Sequence, residues 1–280
     1  MEYKFLPIAL QEDSIEAITT LLQITFPTAK KYTKDFVKWQ YVQNPVGPMI
    51  GYNAYLGSEL AAHYALMPIK AFVGGKEEMG LLSLNTATHP EHRGKRLFTV
   101  LAQKSYEAAM SLGYSFVIGV ANANSTPGFL KKLNFQLVGS LEAKLGFGRI
   151  AIKPNNDPVI FEKIWDNESI NWRLSNPSLS YKVKRNSISA VTDKFGVQAI
   201  LKEFSSGVEL MDNQHSLGIR PLKIWIGIDH NIDWGKSFYF AIPKKFRPSP
   251  LNLIFKDLTG ENRKFEFSKV RFHALDFDAY

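Results

Sequence analysis

The stretch Leu81-LSLNTATHPEHRGKRLFTV-Leu101 decides how the rest of the chain is read. It begins as a buried strand, passes through a basic turn that contains Gly94, and ends in the opening turns of a helix. That succession builds an anion site. The strand delivers the chain to the turn, and the N–H groups that open a helix lack intrahelical partners and point at a phosphate. Arg93, Lys95 and Arg96 place positive charge at the same spot. The ligand implied is the pyrophosphate of a nucleotide-type cofactor.

Downstream, Leu97, Val100, Leu101, Ala108, Ala109 and Leu112 recur at helical spacing, and Gly113 supplies a stop. Tyr114 to Ala121 is a short apolar run of buried-strand character. In the segment Asn122 to Phe135, Ser125 or Thr126 caps a short helix with Pro127 at its first position. Phe129, Leu130 and Leu133 form its buried side, and Asn134 suits a left-handed turn into the next strand.

The block His89-PEHRGKRLFTV-Leu101 resembles the acyl-CoA-binding motif of the GNAT superfamily of N-acetyltransferases, whose usual pattern is Arg/Gln-x-x-Gly-x-Gly/Ala. Asn122 to Phe135 resembles the family's later motif, an Asn followed by a short helix and a Lys-Leu-Gly-Phe-like ending. The resemblance covers residues 1–150 and reaches the rest only loosely. It implies acetyl-CoA, or another acyl-CoA, as cofactor. The implied reaction is transfer of the acetyl group by direct attack of a primary amine, borne by a small-molecule or peptide acceptor, on the thioester. Thr86, Ala87 and Thr88 at the strand end, Arg93, Gly94, Lys95, Arg96, Leu97 and Phe98 in the turn, and Asn124 and Ser125 beside the pantetheine arm are the implied cofactor contacts. The sequence also departs from the pattern. The central glycine is Arg96, the last glycine or alanine is Phe98, and Leu130 stands where many relatives carry a general-acid tyrosine. If residue 96 needs a positive φ, arginine is costly there.

At 280 residues, 45% of them hydrophobic, the chain has enough apolar surface for one large or two ordinary cores. The absence of cysteine excludes a disulfide framework, thiolate metal sites and a cysteine nucleophile, and no metal-ligand pattern is singled out. Neither a signal peptide nor a transmembrane-length apolar run is evident, so a soluble cytoplasmic protein without membrane attachment is expected. A net charge of +8 favours anionic ligands, coenzyme A among them. Nucleic acid is supported by charge alone, without a helix-turn-helix, zinc-finger or RNA-platform motif. Homo-oligomerisation is left open.

The expected class is α/β (α+β), with a mixed, mostly antiparallel GNAT-type sheet flanked by helices. Tyr3–Leu6 is read as a first strand, followed by a helix capped at Asp13 or Ser14 and a second helix over Lys34–Gln43. Hairpin strands follow over Tyr52–Leu56 and Glu59–Met67, then Lys70–Val73, a Gly74-Gly75 turn and a strand from Met79. Polar Lys153 to Pro158 marks a boundary between a GNAT-like acyl-CoA-binding domain (1–150) and a strand-rich half (151–280). That half is open to reading as a degenerate second GNAT-like domain. A helix is expected near Pro158–Trp165, and strands at Tyr181–Val183, Ser187–Val191, Gln198–Phe204, Leu222–Ile228, Leu251–Phe255 and Lys269–Asp276.

Acyl transfer from a thioester needs an aligned amine, a proton acceptor and stabilisation of an oxyanion. Backbone N–H groups around Asn85–Thr88 are candidates for the oxyanion. His63 is a candidate base by its ordinary pKa, or else a satisfied core histidine. Asn85 is a candidate orienting group. The resemblance adds the chain's terminal carboxylate at Tyr280, because some members use theirs. The alternative function is a catalytically inactive CoA-binding or regulatory module of the same fold.

Overall fold

The computed structural model describes residues 2–153, 158–184, 187–191, 197–204, 220–247 and 249–278. Strand β1 (Lys4–Pro7) leads into helices α1 (Glu12–Thr25) and α2 (Lys34–Val42), then into the meander β2 (Ile50–Leu56), β3 (Glu59–Val73) and β4 (Lys76–Thr88). After a 3-10 turn at Pro90–His92 come α3 (Leu97–Ser111), β5 (Phe116–Ala121), α4 (Thr126–Lys132), β6 (Gln136–Ser140) and β7 (Glu142–Phe147). The second half contains β8 (Phe161–Lys163), α5 (Asn167–Leu174), β9 (Tyr181–Lys184), β10 (Ser187–Val191), β11 (Gln198–Glu203) and β12 (Leu222–Ile228). It ends with β13 (Phe238–Ala241), β14 (Asn252–Asp257) and β15 (Val270–His273). Through β6 this is the element order expected from the sequence.

Local chemistry explains where the boundaries differ from expectation. The strands expected at Glu59–Met67 and Lys70–Val73 are one strand that runs through Pro68. Pro68 survives because its backbone faces away from β4, where β2 pairing has ended at Leu66 and β8 pairing begins only at Ala71. Asn44 Nδ2 donates to the Pro68 carbonyl there at 2.9 Å. Helix α1 starts at Glu12, after Gln11, and Asp13 lies in its first turn rather than at its cap. Leu112 is not part of the buried face of α3 but is 64% exposed. Tyr106 takes the inward position instead. The helix expected near Pro158–Trp165 is replaced by β8 and, beyond it, α5, whose first N–H groups are capped by Asp166 accepting from the Ser169 amide.

The first sheet runs β1-β2-β3-β4-β5-β14-β6, and among the described residues its only parallel pair is β4/β5. The second runs β9-β10-β11-β12-β7-β13, with β11/β12 parallel. The two orders repeat one another strand for strand from β2 onward. In each, the strand beyond the parallel pair comes from the other half of the chain. β7 leaves the first half to pair with β12, and β14 returns from the second half to lie between β5 and β6. Strands β8 and β15 join the two sheets into one 15-stranded surface.

One core packs α1 and α2 on the sheet with Ile18, Leu22, Phe36 and Trp39, and a second packs α3 and α4 with Leu101, Tyr106 and Phe129. The first is tight enough that a Cβ on Gly80 would meet the Phe116 ring at 2.1 Å. No described helix is long and apolar enough to cross a membrane.

Candidate functional site

Strands β4 and β5 are paired only at Leu81–Val117, Leu82–Ile118 and Ser83–Gly119. The reason lies in the next residue of β4. Ala65 of β3 faces Leu84 while His63 faces Ala87, so β4 carries an extra residue, and Asn85 absorbs it with φ +51°. Such a bulge bends and twists its strand, and asparagine tolerates the left-handed conformation. From here β4 leaves β5, and a cleft opens toward Thr86, Ala87 and Thr88 on one side and Val120 and Ala121 on the other.

At the same end of the sheet, the basic turn opens α3. Gly94 has φ +77° and open space where a Cβ would stand. Arg96 is the residue preceding the helix and takes φ +61°. The position therefore does require the backbone that glycine adopts freely, and an exposed arginine holds it. Thr99 and Val100 donate to the Arg96 carbonyl, whereas no described backbone bond is donated by Gly94, Lys95, Arg96, Leu97 or Phe98. Successive unpaired N–H groups beside a helix start make a concave anion site. Arg93, Lys95 and Arg96 are exposed around it. The Phe98 ring is turned away from this cradle, edge-on to Phe129 at 5.2 Å and against Gly128, which ties α3 to α4.

Ser125 and Asn124 stand at the start of α4, but Asn122 organises that turn. Its Oδ1 accepts from the Asn124 and Ser125 amides at 3.0 and 2.9 Å, and the Ser125 hydroxyl accepts from the Asn122 amide. From β14, Asn252 Nδ2 donates to Thr126 Oγ1 at 3.0 Å, so the returning strand borders the cleft. The sequence marked Asn122 only as the first residue of a motif.

On the opposite face of the sheet, His63 and Asn85 are joined through Tyr41. His63 is fully buried. Its Nδ1–H donates to Asn53 Oδ1 at 2.6 Å, and its Nε2 accepts from the Tyr41 hydroxyl at 2.8 Å. That pattern fits a neutral imidazole, and burial pushes its pKa down to about 3. Asn85 Nδ2 donates to Gln40 Oε1 and the Tyr41 hydroxyl, and its Oδ1 accepts from Tyr32 at 3.1 Å. Gln40 Nε2 continues the chain to Asp278, whose carboxylate also holds Lys31 and Arg173. Burial pushes the Tyr32 and Tyr41 hydroxyls far up, so both stay protonated. Sequence reasoning placed Gln40 and Tyr41 on the second helix and weighed Tyr41 as a pocket-lining or a core aromatic, but it did not foresee their hydrogen bonds to Asn85 and His63. Tyr280 lies outside the described residues.

Cavity size alone points elsewhere. A cavity of about 540 Å³ lies on the second sheet beside Lys182, Gln198 and Lys223 and contains none of these residues. The cleft is singled out instead by its open strand pair and its unpaired amides.

Residues 7–138 match the family described as "Acetyltransferase (GNAT) domain", so that part of the chain carries a GNAT-type domain. Among solved structures, it is similar to a probable N-acyltransferase from Enterococcus faecalis, with 9% identity, a TM-score of 0.61, and coverage of 92% of this chain and 73% of that one. A GCN5-related N-acetyltransferase from Anabaena variabilis gives 11% identity, a TM-score of 0.60, and coverage of 91% and 73%. One from Kribbella flavida gives 12%, 0.57, and coverage of 91% and 72%. At these identities the likeness is one of fold. A sequence comparison with curated proteins finds no match.

Proposed function

We propose that the chain is an acyl-CoA-dependent N-acyltransferase that moves an acetyl group from acetyl-CoA to a primary amine by direct attack. The observation that carries this reading is the meeting of the β4/β5 cleft with the unpaired amides of Gly94–Phe98 at one end of the sheet. The residues fit the coenzyme: a diphosphate is held by successive N–H groups and three exposed cations, and the free edges of β4 and β5 accept an extended amide-bearing arm as a further strand.

A bound acyl-CoA supplies an already activated thioester. The protein's task is then alignment and charge stabilisation. Backbone N–H groups of the Asn85–Thr88 segment are assigned to the developing oxyanion. Asn85 fixes the bulge that aims them, and Tyr32, Gln40 and Tyr41 fix Asn85. His63 acts through Tyr41 as a positioning residue, since its buried neutral ring has both nitrogens engaged. The repeated strand order supports reading residues 151–280 as a second, degenerate copy of the fold that buttresses the first.

The second reading is a module that binds the coenzyme without turnover. It is favoured by Leu130 in the place of the family's tyrosine, half-buried against the α3–α4 core. Calorimetry with coenzyme A and acetyl-CoA, paired with thiol detection of released coenzyme against a panel of amines, separates the readings. Saturable binding with amine-dependent release supports the enzyme. Binding without release selects the module, and absence of binding at micromolar protein overturns both.

A further inference from the structure

We propose that Glu59, His89 and His92 form a binding site for a divalent transition-metal ion of the zinc type, which clamps the start of β3 to the turn that follows β4. One ligand atom from each of these residues lies within 4.8 Å of the others. His92 is 7% exposed, and its Nε2 is buried without a hydrogen-bond partner. This nitrogen lies 3.4 Å from Glu59 Oε1, and His89 Nδ1 lies 4.0 Å from the same oxygen. Ligands about 2.0–2.1 Å from a tetrahedral zinc ion are separated by about 3.4 Å. The His92–Glu59 pair already has that separation, and His89 Nδ1, which accepts from the Glu91 amide at 3.4 Å, joins it by exchanging that long bond for the cation.

The second shell is in place. The other nitrogen of His92, Nδ1, is 2.8 Å from the Tyr3 hydroxyl. With Nδ1–H donating to Tyr3, Nε2 presents its lone pair toward Glu59 and His89. Metal-bound histidines are fixed in this way by a partner on the remote nitrogen. In the absence of a cation, Nε2 is a buried polar atom without a hydrogen-bond partner, which is a costly arrangement. A cation removes that cost.

The backbone holds the ligands from three directions. His89 N–H donates to the Ala61 carbonyl at 2.9 Å, which sets the turn against β3 two residues beyond Glu59. His92 follows His89 on a 3-10 turn and donates its amide to the His89 carbonyl. A groove of about 490 Å³ reaches Glu59 and His89 from solvent, and Asp13 and Glu16 of α1 lie along it. The groove gives entry to a cation and leaves a fourth position for water. Two imidazoles and one carboxylate match zinc, cobalt and nickel better than magnesium or calcium.

The test uses tag-free, chelator-treated full-length protein titrated with zinc chloride by calorimetry and with cobalt chloride by visible absorption. The expected result is one equivalent bound with micromolar or tighter affinity, and intense tetrahedral cobalt bands. His92→Asn and Glu59→Gln are each expected to weaken binding at least 100-fold, and Tyr3→Phe about 10- to 100-fold. Glu59 is half exposed, so Glu59→Gln keeps the fold and leaves the test valid if a His92 variant misfolds. Zinc is also expected to raise the melting temperature of the parent protein but not of Glu59→Gln. Binding absent at 100 µM zinc, or binding untouched by Glu59→Gln, overturns the proposal.

Discussion

Trp39 and Trp172 exchange hydrogen bonds. The Trp39 indole N–H donates to the Trp172 carbonyl at 2.9 Å, and the Trp172 indole donates back to the Trp39 carbonyl at 3.2 Å. The rings stack at 4.6 Å with planes 12° apart. Trp39 belongs to α2, beside the Tyr41–Asn85 network, and Trp172 to α5 in the second half. The two halves are therefore locked where the site's supporting helix meets α5. Trp172→Ala is expected to cost about 3–5 kcal/mol, the usual range for a buried aromatic truncation. Trp172→Phe, which keeps a smaller aromatic ring and loses the N–H, is expected to cost less than the alanine variant but at least about 1–2 kcal/mol by urea denaturation.

Arg96 tests the trade between backbone strain and charge. Its φ of +61° belongs to glycine's range. Arg96→Gly is expected to leave stability within about 1 kcal/mol of the parent, because relief of strain offsets the added chain entropy. Both Arg96→Gly and Arg96→Gln are expected to weaken coenzyme A binding several-fold and to reduce its salt dependence, read by calorimetry at two ionic strengths.

His63 predicts an acid-sensitive fold. Its folded pKa of about 3 lies below the ordinary 6.5, because burial disfavours the imidazolium. The unfolded chain therefore binds the extra proton first. The stabilisation is fully present above about pH 6.5 and is lost as pH falls from there toward 3, with a slope approaching about 1.4 kcal/mol per pH unit. His63→Gln is expected to flatten that limb of a plot of unfolding free energy against pH. An unchanged slope would show that other groups govern it.

Asp278 ties the last described residues to the site. Its carboxylate is 6% exposed, 2.8 Å from Arg173 Nη2 and 3.2 Å from Lys31 Nζ. Those cations hold its pKa below the usual range against the opposing effect of burial, which is the largest single influence on it. Removing Asp278 leaves Arg173 buried without its counter-charge. Asp278→Ala is expected to destabilise by about 3–5 kcal/mol. Asp278→Asn retains part of the hydrogen bonding and is expected to cost less, which compared urea midpoints will show.

Gly80 has a steric test. A Cβ there meets the Phe116 ring at 2.1 Å, so Gly80→Ala is expected to lose about 1–3 kcal/mol. Adding Phe116→Leu should recover part of that loss, and the double mutant's stability checks the coupling.

The sequence of the first half is legible because its signals are local. The apolar face of α3, the turn at Gly94 and the left-handed Asn134 all follow from residue type and spacing, and Asn134 does take φ +55°. The site is legible only where a chain segment acts alone. The linkage of His63 to Asn85 runs through Tyr41, and that of Asn85 to Asp278 through Gln40, residues distant in sequence and ordinary in composition. The trio Glu59, His89 and His92 has no contiguous motif, because β3–β4 pairing brings Glu59 to the turn. The partners of β14 and β7 were hidden for the same reason: both are short strands of mixed composition, and nothing in their residues names the neighbour across the chain.

The exchange of β7 and β14 fixes when each half can be finished. A growing polypeptide that has reached residue 150 has made β5 and β6, but the strand that lies between them is Asn252–Asp257. Until that segment leaves the ribosome, the edge of β5 stands open in the nascent protein, with a row of unsatisfied amides and carbonyls. Contacts so far apart in sequence close slowly. Neither sheet is therefore whole until Phe238–Ala241 and Asn252–Asp257 have been made, and the two halves are made one after the other but completed together.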